Sequence, residues 1–143
     1  MGLEAVEAIE NDPDLTLVGQ TDLEDDLEVS IQQSGAEAVV DFTTASVAFS
    51  NCNTIIQAGA RPVIGTSGLL PEEVEELQGL AKEKNIGGII APNFAIGAVL
   101  MMKFASEAAR YLPDAEIIEL HHEKKADAPS GTAIKTAALI ASS

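Results

Sequence analysis

The sequence predicts an α/β fold built on a parallel sheet, and three observations predict it. Short apolar, β-branched runs recur along the chain: LTLVG (15–19), AVVDF (38–42), PVIG (62–65) and GIIA (88–91). Stretches of helical periodicity lie between them, as crossovers between parallel strands require. The runs are apolar throughout rather than alternating, which is the pattern of strands covered on both faces.

Each element follows from local chemistry. Residues 3–10 read as an amphipathic helix that stops near Asn11-Asp12-Pro13. The first strand, 15–19, runs into Gln20-Thr21-Asp22, and an acidic, polar stretch continues to about Gly35. The strand at 38–42 closes on Thr43-Thr44. A helix over 45–58 is stopped by Gly59. The strand at 62–65 turns at Thr66-Ser67-Gly68. Residues 71–84 form a helix with Pro71 at its start, Glu72, Glu73, Glu75 and Glu76 in its first turns and Lys82 and Lys84 in its last. The strand at 88–91 ends in Pro92-Asn93-Phe94. A long helix is predicted over about 97–111. EIIEL (116–120) alternates polar and apolar residues as a half-buried strand does, and a final helix covers 131–141.

Composition narrows the function classes. The 143 residues are 46% hydrophobic, enough for a packed core. Aromatic residues are 3%, with no Trp, too few for a base-stacking surface or an aromatic sugar groove. The formal net charge of -15 repels polyanions, so neither nucleic acid nor an anionic membrane surface is an expected partner. The single cysteine, Cys52, cannot pair within the chain, which fits a reducing compartment. The acidic start MGLEAVEAIENDPD lacks a basic leader, and no apolar run reaches a membrane span, so a cytoplasmic location is expected. Cys52 reads as a small core or surface thiol, and the run Glu72 to Glu76 as a solvated face.

Open parallel sheets bind ligands at the carboxyl ends of their strands. That rule selects Asp22, Thr43-Thr44, Gly65-Thr66-Ser67-Gly68 and Pro92-Asn93-Phe94. All are clusters of small or polar residues. A dinucleotide fold also begins with a strand and a glycine turn that cradles the pyrophosphate. Here Met1-Gly2 leads straight into helix, and Asp22 lies twenty residues after Gly2, the distance of a ribose-binding acid. The expectation is a Rossmann-like sheet lacking its first strand and glycine loop.

The stretch EIIELHHEKKADAPSGTA (116–133) carries the densest chemistry. It holds both histidines, His121 and His122, which face opposite sides if the strand continues. Lys124 and Lys125 follow, and Asp127-Ala128-Pro129 breaks regular structure. Ser130-Gly131-Thr132 then opens a helix whose free N–H groups suit a carboxylate or phosphate. Imidazole can exchange a proton near neutral pH, and an ammonium can meet developing negative charge. A strand end followed by an ordinary Ser cap gives the same pattern, and from spacing alone both readings stay open. Adjacent histidines and one distant cysteine do not converge on an ion, so no metal site is expected.

ELHHEKKADAPSGTA resembles the signature of the 4-hydroxy-tetrahydrodipicolinate reductase (dihydrodipicolinate reductase) family. VVDFTT, PVIGTSGL and APNFAIGAVLMMKFA resemble that family's successive strand ends and hinge, in the same order. The likeness covers nearly the whole chain and is weakest across 23–37. It implies a dinucleotide-binding domain over 1–93, incomplete at its start. The beginning of an α+β substrate and tetramerisation domain over 94–143, incomplete at its end, would follow. It implies reduction of a cyclic imine dicarboxylate by NADH or NADPH, in lysine and diaminopimelate biosynthesis, within a homotetramer. By family position His121 and Lys125 would be catalytic. His122, Ser130, Gly131 and Thr132 would bind substrate. Asp22, Phe42, Thr43, Gly65, Thr66, Ser67, Ala91, Asn93 and Phe94 would bind the cofactor. Leu23 after Asp22 offers no cation to a 2′-phosphate, which leans towards NADH. The isolated chain is expected to be an inactive piece of such an enzyme. Two alternatives are another two-domain amino-acid dehydrogenase, of the aspartate or diaminopimelate type, and a noncatalytic binding or scaffold domain.

Overall fold

The computed structural model describes residues 1–91, 93–123 and 128–143. The chain divides into two compact units, Met1–Ala91 and Pro92–Ser143. Among the described residues no helix is long and apolar enough to cross a membrane.

The first unit contains helices α1 (Gly2–Glu10), α2 (Leu27–Ser34), α3 (Ala45–Gln57) and α4 (Pro71–Lys84). Its strands are β1 (Ala38–Asp41), β2 (Arg61–Ile64) and β3 (Ile89–Ile90), a parallel sheet in the order β1-β2-β3. Val39 pairs with Pro62 and Asp41 with Ile64 across β1 and β2, and Ile64 pairs with Ile90 across β2 and β3. The α/β class expected from the sequence is therefore present. The core gathers Ile31 from α2, Cys52, Ile55 and Ile56 from α3, Ala60, Ile64 from β2 and Leu77 from α4, with Val39 packed against it. Removing these side chains from water is the main stabilising term of the unit.

Helix α4 begins and ends as expected. Pro71 occupies its first turn, Glu73 Oε2 accepts from the Leu70 N–H at 2.8 Å, and Asn85 closes it in the left-handed region at φ 56°. Two glycines are required by packing. A Cβ on Gly68, which has φ +105°, would sit 2.5 Å from the Ala45 Cβ, and one on Gly88 would sit 2.9 Å from the Pro62 carbonyl oxygen. The turn after β2 and the approach to β3 are thereby held close to their neighbours.

Two expectations are corrected and one element is added. LTLVG (15–19) forms no ladder, and Leu15 and Val18 stay exposed. A strand is a property of pairs, and apolar character without an adjacent strand produces only extended chain. The sheet is not covered on both faces: Val40 is 39% and Ile89 60% exposed, whereas their neighbours Val39 and Ile64 join the core. Helix α2 lies in the acidic, polar stretch, for which the sequence predicts no element. Asp26 caps it by accepting from the Val29 N–H at 3.0 Å, and Gly35 ends it at φ 67°.

The second unit contains α5 (Ile96–Ala109) and α6 (Gly131–Ala141), which pack against each other. Residues 116–120, expected as a strand, carry no ladder either, and Ile118 and Leu120 are exposed. Helix α6 starts where its sequence places it, because the Ser130 hydroxyl accepts from the Ala133 N–H at 3.1 Å.

Candidate functional site

The first unit carries a small cavity of about 240 Å³, lined by Met1, Phe42, Thr43, Ala45, Gly65, Thr66 and Ser67. It lies where β1 and β2 end, the place the parallel sheet assigns to a ligand. Five residues expected at the cofactor share this lining: Phe42, Thr43, Gly65, Thr66 and Ser67. Asp22 does not line it. Its N–H donates to Asp25 Oδ2 at 2.7 Å, and its own Oδ1 accepts from the Leu23 N–H at 2.8 Å. Ala91 also stays outside the lining, its N–H donating to the Ile64 carbonyl at 2.8 Å.

A residue that sequence reasoning passed over stands beneath this cavity. Asp41, the last residue of β1, is 5% exposed. Its Oδ1 accepts from the Thr43 N–H at 2.9 Å, the Thr43 hydroxyl at 2.8 Å and the Thr66 hydroxyl at 2.7 Å. Its Oδ2 accepts from the Asn51 amide of α3 at 2.8 Å. Its backbone carbonyl accepts from the Gly65 N–H at 2.9 Å. Burial alone would push the Asp41 carboxyl up, but the hydrogen bonds from Thr43, Thr66 and Asn51 outweigh it and hold the carboxyl below the ordinary 3.8. The signal was available, since Asp41 is the one charged residue in an apolar strand. Nearby Cys52 moves the other way. Burial, helped by the Asp41 charge, pushes its thiol from the ordinary 9.0 up to about 11.

The second unit holds a groove of about 680 Å³ whose lining includes Asn93, Glu119, His121, Ser130 and Thr132. His121 is half-exposed, with Nδ1 4.0 Å from Glu119 Oε1. Glu119 also reaches the start of α6. The Ser130 N–H lies 3.1 Å from each of its carboxylate oxygens, and the Ser130 hydroxyl donates to Oε2 at 2.6 Å. A carboxylate at this position is what the positive end of a helix favours. Both Ser130 donors expected at a substrate carboxylate are thus engaged by Glu119, which sequence reasoning also missed. The Thr132 hydroxyl accepts from the Asn93 amide at 3.2 Å, so Asn93, expected at the cofactor, belongs to the groove of the second unit. His122 and Gly131 are not in the groove lining, and Phe94 is exposed at the approach to α5. Lys125, expected as catalytic, lies outside the described residues.

The comparisons with known proteins match both units. The family model described as "Dihydrodipicolinate reductase, N-terminus" matches residues 1–94, and "Dihydrodipicolinate reductase, C-terminus" matches residues 97–143. The 4-hydroxy-tetrahydrodipicolinate reductase of Coxiella burnetii is 55% identical, covering 98% of this chain and 59% of its own length. That of Streptococcus gordonii is 52% identical, again over 98% of this chain and 59% of its own length. Among solved structures, a dipicolinate-bound dihydrodipicolinate reductase from Paenisporosarcina sp. TG-14 is 42% identical with a TM-score of 0.79, covering 99% of this chain and 61% of that one. The chain spans about 59% of the length of the curated relatives it matches. Its three-stranded parallel sheet with interleaved helices is the Rossmann-like α/β part of that fold. With the N-terminal and C-terminal family regions matched in order along nearly every residue, this chain belongs to the dihydrodipicolinate reductase family.

Proposed function

We propose that this chain supplies the cofactor unit and part of the substrate unit of an enzyme that reduces 4-hydroxy-tetrahydrodipicolinate to tetrahydrodipicolinate, with loss of water, in lysine and diaminopimelate biosynthesis. The cofactor is NADH or NADPH. The enzyme works in the cytoplasm, and it assembles as a homotetramer without nucleic acid or membrane. The observation that carries the reading is the groove that brings His121 beside the start of α6.

The residues at the strand ends fit a dinucleotide. The lining of Thr43, Gly65, Thr66 and Ser67 is small and polar, so a ribose and a flat ring can approach the backbone closely. Asp22 would hold the adenosine ribose hydroxyls, and Leu23 beside it leaves no cation for a 2′-phosphate, which favours NADH. Bound reduced nicotinamide supplies the hydride.

The second unit does the rest. The groove takes the dicarboxylate, and the N–H of Thr132, with that of Gly131 next to the lining, receives one carboxylate at the start of α6. The Nδ1 edge of His121 lies towards Glu119, which leaves Nε2 to hand a proton to the substrate nitrogen as it becomes electron-rich. Lys125 would hold negative charge on the substrate. The test follows NADH and NADPH oxidation with 4-hydroxy-tetrahydrodipicolinate, using the protein as its gene encodes it. His121→Ala and Lys125→Ala are each expected to lower kcat by about a hundredfold or more. Unchanged turnover in either variant removes that residue from the mechanism.

A further inference from the structure

Two turns flank the cavity of the first unit, and one residue ties them together. Thr43 belongs to the turn after β1; Gly65 and Thr66 belong to the turn after β2. All three are fastened to Asp41. Its side chain accepts from the Thr43 N–H, the Thr43 hydroxyl and the Thr66 hydroxyl, and its carbonyl accepts from the Gly65 N–H. Asn51, projecting from α3, fixes the remaining carboxylate oxygen at 2.8 Å and also reaches the Thr43 hydroxyl at 3.3 Å. Asp41 and Asn51 line no part of the cavity themselves. Thr66 is buried, and its hydroxyl points down to Asp41.

We propose that Asp41, oriented by Asn51, is a positioning residue that sets the spacing of the two turns on which the dinucleotide rests. The inference builds on the cofactor reading above and adds residues to it. Three physical points support it. A carboxylate with only oxygens can accept all four donors at once, which no neutral side chain of that size can do with both atoms. The bonds are charge-assisted, and the carboxylate that accepts them is itself buried, so they hold geometry tightly. Displacing the turns by about 1 Å costs binding and orientation, because the close backbone approach is lost.

The test measures the dissociation constant for NADH from the fluorescence of reduced nicotinamide, using the protein as its gene encodes it. Urea unfolding is followed in parallel, so that binding is read only where each variant is folded. Asp41→Ala is expected to weaken NADH binding about tenfold or more. Asp41→Asn keeps an acceptor for Thr43 and Thr66, and the Asn51 amide can rotate to accept from it, so most of the affinity should return. Asn51→Ala, which leaves the cavity lining untouched, is expected to weaken binding about threefold and serves if Asp41→Ala does not fold. Wild-type affinity in Asp41→Ala or in Asn51→Ala overturns the positioning role. Equal loss in Asp41→Asn and Asp41→Ala overturns it as well, because an acceptor kept at the Thr43 and Thr66 donors should keep most of the spacing. A wild-type protein that does not bind NADH overturns instead the cofactor reading beneath it.

Discussion

Asp41 and Glu119 are two carboxylates that accept several hydrogen bonds each, yet they stand in opposite surroundings. Asp41 is buried at the end of a strand and collects donors from two turns and a helix. Glu119 sits half-buried on irregular chain and accepts from the Ser130 N–H and hydroxyl at the start of α6. The first ties distant segments of a sheet-based unit; the second fastens one helix start to the segment before it. A polar group contributes most where its loss would strand several buried donors at once.

The comparison breaks most visibly at Asp41. Asp41→Ala leaves the buried Thr66 hydroxyl and the part-buried Asn51 and Thr43 donors without their acceptor, and is expected to cost the first unit about 1–3 kcal/mol, read from urea unfolding. A smaller effect appears in acid. Because the folded Asp41 carboxyl lies below its ordinary value, its stabilisation is complete above the unfolded value of about 3.9 and fades as pH falls through the folded value. Below about pH 4 unfolding midpoints should fall more steeply in wild type than in Asp41→Asn, and at higher pH the two should run in parallel. The smallest effects belong to the second unit. Ser130→Ala removes a cap and should lower stability by about 1 kcal/mol, and Glu119→Gln by about the same or less, in thermal unfolding. A loss at Glu119 matching that at Asp41 would show that the two carboxylates contribute alike.

Much of the fold was legible because its signals are local. Pro71, the glutamates after it and the closing lysines bounded α4, and Ser130 marked the first residue before α6. Strands β1, β2 and β3 were found within a residue or two. LTLVG misled because apolar content says nothing about whether a neighbouring strand is present. Helix α2 was missed because its apolar residues are sparse among polar ones, although Asp26 and Gly35 bracket it as a cap pair. At the site, the strand-end rule found the residues around the small cavity. It did not find Asp41, whose meaning depends on Asn51 ten residues away and Thr66 twenty-five residues away. Such a constellation exists only after folding. Glu119 escaped for a similar reason: alternation assigned it to a strand, while its role comes from Ser130 eleven residues later.

The lone cysteine of the chain gains a particular character from this arrangement. Cys52 is buried in the core of α3, and its thiol, pushed up to about 11, remains protonated at any ordinary pH. Alkylating agents and oxidants react with thiolate, and they need access. In the folded molecule Cys52 offers neither. The sulfur becomes chemically addressable only when α3 separates from the sheet, so the molecule carries, without any added label, its own counter of how often the first unit opens.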